Sequence, residues 1–187
     1  MKKQSTFMQI FTLTITLLLI TACVAAALAG INTITAPKIA AINEQKTTDA
    51  IAEVLGNEAA ATATVTYQAE DKDAPVQTVY TSDTGYAVKV QTGGFGGTIV
   101  MMVGVDKAGT VLGIDIISHA ETASLGDVAA SDNTKGQAFR GQFAGKSGTL
   151  AVTKDGGDID AITSATITSR AVTGGVNTAL EFIANMG

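Results

Sequence analysis

The sequence predicts an α+β protein, in which a single N-terminal transmembrane helix precedes an extracytoplasmic domain with a mainly antiparallel sheet and flanking helices. Three observations predict this class. An uncharged apolar run lies near the N-terminus, alternating apolar segments separated by turn residues fill the middle of the chain, and a helical pattern occupies its end. With 187 residues, the chain is long enough for one ordinary domain and an appendage.

The N-terminal apolar run is long enough to cross a membrane. No charged residue occurs between Lys3 and Lys38, and residues 7–31 read FMQIFTLTITLLLITACVAAALAGI. A helix of this length extends roughly 38 Å, against about 30 Å for the hydrocarbon core of a bilayer. The alternatives are a signal peptide cleaved after ALA at 27–29 and a lipoprotein signal ending at Cys23. Because the run is longer than a signal peptide needs and stays apolar beyond Cys23, we expect a transmembrane helix over 7–31.

Charge predicts the orientation of this helix. Lys2 and Lys3 lie in the short segment 1–6, which the positive-inside rule assigns to the cytoplasm, so the chain after residue 31 lies on the extracytoplasmic side of the cell (inner) membrane. That outer part holds ten basic and all 17 acidic residues, a formal net charge of −7, which disfavours nucleic acid as a partner. With Cys23 in the apolar run and His119 as the single histidine, we expect no disulfide and no metal site in the outer domain.

Residues 32–62 are expected to form a helical stalk and linker, followed by the folded domain over 63–187. Pro37 suits the start of the stalk helix and Gly56 its end. The segment NEAAATATVTY, which begins directly after Gly56, drifts from a low-complexity pattern into the alternation of a strand.

The centre of the domain is predicted to be a set of β-hairpins. Residues 76–92 read as strand, turn and strand with the turn at SDTG, and residues 93–119 read as two more strands joined at DKAG. Apolar residues on both faces over 100–105 indicate a central strand covered on both sides. Residues 135–148 are expected to be a short amphipathic or irregular piece, and TLAVTK at 149–154 a further strand. The last element is predicted to be a helix with Ala171, Val172, Val176, Leu180 and Ile183 on its apolar side.

The stretch DIDAITSATITSRAVTGG, residues 158–175, is rich in hydroxyl side chains. It carries Thr163, Ser164, Thr166, Thr168, Ser169 and Thr173. No acidic residue lies between Asp160 and Glu181. One interpretation is helix capping, in which hydroxyls satisfy the free N–H groups of a helix start. The other is an anion site, because an uncapped positive helix end beside hydroxyls and Arg170 suits a phosphate. The residues alone leave both interpretations open.

Other candidate motifs are weaker. GQFAGKS at 141–147 has three residues between its glycines where a P-loop needs four. GGFGG at 93–97 suggests a bulge, or backbone brought close to a flat ligand. HAETASLGD at 119–127 sets His119 and other polar groups at the end of a strand. With His119 as the single histidine, we see no serine or cysteine nucleophile paired with a further histidine as in a hydrolytic triad, and we predict no catalytic residue.

Two of these segments resemble the motifs of a known family. DAITSAT, residues 160–166, resembles the flavinylation motif D-G-x-[S/T]-G-A-T, and HAETASLGD resembles H-x-E-T-P-G-L-G-[DE] of the same family. TAPKIAA directly after the apolar run is also typical of it. The chain is therefore similar, from the apolar run to its C-terminus, to the FMN-binding domain family shared by the G subunit of Rnf ion-translocating electron-transport complexes and the C subunit of the sodium-pumping NADH:quinone reductase.

The sequence departs from these motifs at four positions. Ala161 and Ser164 stand where the first motif has glycine, and Ala123 and Ser124 replace Pro-Gly in the second. The substituted residues are all small, so close approach of the backbone remains possible.

The resemblance implies that Thr166 carries FMN through a phosphoester bond made by a separate flavin transferase, with FAD as donor. It implies that Asp160, Thr163, Ser164 and Ala165 shape the acceptor loop, and that Glu121, Thr122, Leu125 and Gly126 lie near the flavin. By the charge argument for the helix start, Arg170 would meet the phosphate. The implied function is electron transfer, without turnover of its own, within an Rnf-type complex that couples ferredoxin:NAD oxidoreduction to ion translocation through other membrane and redox subunits. Two alternatives are a stand-alone extracytoplasmic flavoprotein carrier and an anchored scaffold domain without flavin.

Overall fold

Helix α1 runs without interruption over Thr6–Leu55 in a computed structural model that describes residues 6–186. Within the described residues, one segment, Met8–Leu55, is long and apolar enough to cross a membrane, and its most apolar window is fully exposed. The predicted helix start at Pro37 is wrong, because Pro37 lies inside α1. Proline has no N–H group, so one backbone hydrogen bond of the helix is missing there, and the helix continues through the residues on either side. The predicted cytoplasmic lysines Lys2 and Lys3 lie outside the described residues.

The chain divides into two compact units, residues 1–44 and residues 45–187. The second unit begins with the last turns of α1, which end at Leu55 as predicted. Gly56 follows with φ +88°, a positive value that glycine adopts without a steric penalty. A short helix, α2 (Asn57–Thr62), leads from there into the sheet.

Within residues 6–186, five strands form one antiparallel sheet in chain order. They are β1 (Thr64–Gln68), β2 (Val76–Thr81), β3 (Gly85–Gly93), β4 (Thr98–Asp106) and β5 (Val111–His119). The predicted hairpins are confirmed. Ser82 N–H donates to the Gly85 carbonyl at 2.8 Å in the β2–β3 turn, and Gly109 N–H donates to the Asp106 carbonyl at 3.1 Å in the β4–β5 turn.

Strand β4 is covered on both faces, as its apolar pattern predicts. On one face, Met101 and Val103 are fully buried in a core that the C-terminal helix α4 (Thr166–Met186) closes with Val172 and Val176. On the other face, Met102 belongs to a second core, which the end of α1 closes with Ala50, Ile51, Val54 and Leu55. The predicted α+β class is therefore confirmed.

The segment between β5 and α4 holds the remaining short elements. A 3₁₀ helix (Gly126–Ala130) precedes helix α3 (Thr134–Gly141), which Asn133 caps by accepting hydrogen bonds from the N–H groups of Lys135 and Gly136 at 3.0 and 2.9 Å. The predicted strand at 149–154 is wrong. Only an isolated bridge joins Val152 to Ile159, and a 3₁₀ turn (Thr153–Asp155) follows.

The backbone hydrogen bonds of this segment are made within a local loop instead of with a neighbouring strand. Thr153 N–H donates to the Ile159 carbonyl at 2.8 Å, and Gly157 N–H donates to the Val152 carbonyl at 3.1 Å. Gly156, with φ +87°, turns the chain back between them. Because the Thr153 N–H and the Val152 carbonyl are bonded within this loop, they do not pair with a strand of the sheet.

Candidate functional site

The start of α4 is held by the loop that precedes it. Ser169, fully buried in the first turn, accepts a hydrogen bond from Ile162 N–H at 2.9 Å and donates to the Ala165 carbonyl at 3.0 Å. At the other end of the loop, the side chain of Gln142 binds both the N–H and the carbonyl of Asp160, at 2.7 and 3.2 Å. The loop that contains DAITSAT is thus fixed at both ends.

The hydroxyl groups of this stretch divide into different roles. Thr168, Ser169 and Thr173 are buried. Thr168 donates to a carboxylate oxygen of Glu121 at 2.5 Å, and Thr173 donates to the Ser169 carbonyl at 2.9 Å. These three hydroxyls are therefore structural. Thr166 is different, because its hydroxyl stands at the first residue of α4, where the helix N–H groups have no partner inside the helix.

Thr166 lies on the wall of a cavity of about 560 Å³, a volume within the range of small-molecule and cofactor sites. Its lining residues are Phe95, Glu121, Thr122, Leu125, Gly126, Lys154, Ser164, Ala165, Thr166, Ile167 and Thr168. The two motifs, more than thirty residues apart in the chain, therefore face one cavity. Phe95, Leu125 and Ile167 are exposed large apolar side chains, so much of the wall is apolar.

Three residues predicted for the site lie elsewhere. Asp160 and Thr163 line a neighbouring cavity of about 600 Å³. Arg170 lies one helical turn beyond Thr166 and forms a bidentate ion pair with Asp155, with both N–O distances at 2.6 Å. The hydrogen bonds from Arg170 lower the pKa of Asp155 below its ordinary value, and the same bonds raise the pKa of Arg170.

The basic residue that lines the cavity is Lys154, which was not predicted from the sequence. Its Nζ donates to the Thr166 hydroxyl at 3.0 Å. The error has a clear origin, since residues 149–154 were expected to be a strand rather than a turn packed on α4. Phe95 was also missed, although the glycines around it were singled out. Among the described residues, no cluster of histidine, cysteine, aspartate and glutamate could hold a metal ion.

Glu121 joins three segments of the site. Its carboxylate accepts hydrogen bonds from Thr168 and from Gly96 N–H, the latter at 3.0 Å. A Cβ atom added to Gly94 or Gly126 would collide with that carboxylate, and one added to Gly96 would collide with the Ala120 carbonyl. The glycines of GGFGG therefore allow close approach to the segment 120–121. This segment of the protein, rather than a flat ligand, packs against these glycines.

Two of the motif departures have an unusual backbone conformation. Ser124 and Ser164 have φ values of 63° and 66°, and they are the described non-glycine residues in the left-handed region. Glycine adopts this region without a steric penalty, whereas a residue with a Cβ atom does not. Backbone geometry thus explains why the motifs have glycine at these two positions. This chain adopts the same positive φ values with serine.

Comparison with known proteins gives matches to a family and to individual relatives. Residues 94–181 match the model of the FMN-binding domain. The chain is 44% identical over 100 residues to the G subunit of the proton-translocating ferredoxin:NAD(+) oxidoreductase complex of Clostridium ljungdahlii, and 42% identical over 104 residues to the G subunit of the ion-translocating oxidoreductase complex of Stutzerimonas stutzeri. These alignments span about half of each relative, 51% and 45% of its length.

A third relative aligns over nearly its whole length. The chain is 34% identical to the G subunit of the Na(+)-translocating ferredoxin:NAD(+) oxidoreductase complex of Acetobacterium woodii, and the alignment covers 99% of the chain and 97% of that protein. The likeness therefore extends from the N-terminal helix through the cavity to the last helix.

Proposed function

Because this chain belongs to the family of G subunits of ion-translocating, Rnf-type oxidoreductase complexes and contains an FMN-binding domain, we propose that it is an electron-transfer subunit whose FMN is attached covalently to Thr166. The relatives are named as subunits of ferredoxin:NAD(+) oxidoreductase complexes. We extend that assignment to this chain, with the other membrane and redox subunits of such a complex as its partners.

The position of the Thr166 hydroxyl is the observation that carries the proposal. It faces a cavity of suitable volume, stands at the N-terminus of α4 and accepts a hydrogen bond from Lys154. A phosphoester at this oxygen would carry one negative charge. Free N–H groups of the helix start and an ammonium group are the donors that stabilise such a charge.

The rest of the cavity suits the remainder of the cofactor. Phe95, Leu125 and Ile167 offer apolar surface to a flat ring, and Glu121 and Thr168 bond to each other rather than to a ligand. When bound, FMN supplies the redox chemistry, and the protein supplies its position and electrostatic environment. Asp160 and Arg170 hold the loop and the helix from outside the cavity, through Gln142 and Asp155, whereas Thr163 lines the neighbouring cavity.

Attachment is a phosphoryl transfer without net oxidation or reduction. The Thr166 hydroxyl oxygen forms a bond to the FMN phosphorus of FAD. The bond from that phosphorus to the bridging pyrophosphate oxygen breaks, AMP leaves, and the hydroxyl proton is released. A separate flavin transferase catalyses the step in this proposal. Covalent attachment suits a domain outside the cytoplasm, where a dissociated flavin would be lost.

The proposed membrane topology follows from the charge distribution. Residues 7–31 of α1 span the membrane, with segment 1–6 in the cytoplasm, residues 32–62 as stalk and linker, and the domain over 63–187 on the extracytoplasmic side. The exposed apolar surface of α1 supports its role as the anchor.

The proposal is tested by producing the full-length chain together with a flavin transferase and denaturing it. Flavin fluorescence should stay with the wild-type band, should vanish in Thr166→Ala, and should persist in Thr163→Ala. Flavin that separates from the wild-type chain, or that remains on Thr166→Ala, would contradict the covalent site. Purification of the flavin-bearing protein from the membranes of its own cells without any companion subunit would favour the stand-alone carrier, and a wild-type chain that takes up no flavin would favour the scaffold domain.

A further inference from the structure

Two consecutive residues of the 3₁₀ turn Thr153–Asp155 contact the first turns of α4. Lys154 Nζ donates to the Thr166 hydroxyl at 3.0 Å, and Asp155 accepts two hydrogen bonds from Arg170 at 2.6 Å each. Thr166 and Arg170 are four residues apart, so they lie on one face of the helix. The turn therefore packs along this face through two polar contacts side by side.

The turn is stiff, so its two contacts are coupled. The N–H groups of Thr153 and Asp155 are bonded to the carbonyls of Ile159 and Val152, both at 2.8 Å. A Cβ atom at Gly157 would collide with the backbone of Ala151, so the loop after the turn is closely packed as well. Movement of Asp155 away from α4 would carry the backbone of Lys154 with it.

The two contacts differ in how precisely they fix the turn relative to α4. Lys154 is exposed, and a lysine ammonium on a flexible four-carbon stem loses conformational entropy when one hydrogen bond holds it. An arginine–carboxylate pair with two parallel hydrogen bonds fixes both distance and orientation. The Asp155–Arg170 pair is thus the better-defined anchor of the turn. It also leaves Lys154 as the basic residue that lines the cavity.

We propose that the Asp155–Arg170 ion pair is a positioning device, which docks the turn on α4 so that the Lys154 ammonium stays at the Thr166 hydroxyl and at the phosphate attached there. The part that concerns the phosphate rests on the proposed function. An ammonium beside the hydroxyl favours its ionised form during attachment and then pairs with the phosphoester charge. Asp155 and Arg170 are positioning residues, since they act through Lys154.

The chain offers a matched control for the charge change. Asp158 lies three residues beyond Asp155 and pairs with Lys146 at 3.6 Å. Asp158→Asn removes the same charge from the same exposed segment as Asp155→Asn does. Only Asp155→Asn removes the contact with Arg170.

The first test measures the initial rate of FMN attachment to the full-length chain from FAD and a flavin transferase, by intact mass. Asp155→Asn should slow attachment about twofold to fivefold, the range for a partly exposed ion pair. It should cause no further loss in a Lys154→Met background, because the residue through which it acts is gone. The exchanged pair Asp155→Arg with Arg170→Asp should recover most of the wild-type rate. Asp158→Asn should match wild type.

The second test needs no flavin. Acetylation of Lys154 by an amine-reactive ester, read by peptide mass spectrometry, should be about twofold to fivefold faster in Asp155→Asn than in wild type, and unchanged in Asp158→Asn. Equal slowing by Asp155→Asn with and without the Lys154 amine, or Lys154 acetylation that does not respond to Asp155→Asn, would overturn the inference. Failure of the proposed function looks different, since the wild-type chain would then gain no FMN at Thr166 while the acetylation result would still stand.

Discussion

The Thr168 hydroxyl donates a hydrogen bond to the Glu121 carboxylate at 2.5 Å and joins two segments that lie 47 residues apart in the chain. One segment follows the last strand, and the other is the first turn of the C-terminal helix. The same carboxylate also accepts from Gly96 N–H. The contact holds the two motifs together, so its loss should loosen the cavity as well as the fold.

Glu121→Ala should lower the free energy of unfolding by about 1–3 kcal/mol, since two donors lose a charged acceptor in a partly buried position. Tyr67, Tyr80 and Tyr86 all lie in the sheet and the chain has no tryptophan, so tyrosine fluorescence in urea reports on this domain. Glu121→Gln, which keeps an acceptor oxygen, should lose less. An alanine variant as stable as wild type would show that water replaces both bonds without cost.

Ser164→Gly and Ser124→Gly should each stabilise the domain. A residue with a Cβ atom is destabilised by about 1–2 kcal/mol in the left-handed region. Glycine removes that strain but costs about 0.4–1 kcal/mol of stability, because it gives the unfolded chain more conformational freedom. The expected net gain is therefore between about 0 and 1.6 kcal/mol per site, measured as a rise in the thermal midpoint. Ser131 has φ −72°, so Ser131→Gly has no strain to relieve and should lower the midpoint. Destabilisation by both motif substitutions would contradict this explanation of the motif glycines.

Two adjacent glycines of α4 should respond in opposite directions to alanine. Gly174 is exposed with no atom near its missing Cβ, whereas Gly175 is buried and a Cβ there would lie 2.8 Å from Met101 Sδ. Gly174→Ala should stabilise the domain by about 1 kcal/mol through helix propensity. Gly175→Ala should destabilise it, because α4 must move away from the sheet or Met101 must change rotamer. Urea unfolding of the two variants side by side makes the comparison, and equal effects would contradict the observed helix packing.

The Asp155–Arg170 pair should show in the pH dependence of Asp155. Arg170 lowers the pKa of this carboxyl below its ordinary value of 3.8, mainly by hydrogen bonding. A depressed folded-state pKa means that the stabilisation is complete above the ordinary value and is lost as the pH falls through the folded value. Carboxyl-carbon NMR titration should therefore show the pKa of Asp155 rising in Arg170→Gln.

Asp106 is the control for that titration. Its pKa is also lowered, chiefly by the hydrogen bond from Thr110 N–H in the β4–β5 turn. That cause is independent of Arg170, so the pKa of Asp106 should stay low in Arg170→Gln. A pKa of Asp155 that does not move in the variant would mean that another group holds the carboxylate ionised.

Local patterns in the sequence predicted the elements whose causes are local. The apolar run predicted the N-terminal helix, the alternation with SDTG and DKAG predicted four strands in two hairpins, and apolar residues on both faces of β4 predicted its central place. TLAVTK shows the limit of this reasoning. Its alternation suits a strand, but the glycines that follow it turn the chain back, and competing hydrogen bonds within the loop replace the sheet.

By itself, the sequence determined the α+β class, the N-terminal apolar helix, the hairpin order and, through its motifs, the family and the flavin hypothesis at Thr166. Only the tertiary structure decided which side chains meet there. It placed Lys154 rather than Arg170 at the Thr166 hydroxyl, gave Ser169 and Thr168 structural roles, and set Phe95 on the cavity wall. The physical reason is that helix and strand patterns depend on neighbours within a few residues. The partner of a polar group depends instead on how distant turns dock, and nothing in the spacing of a sequence records that.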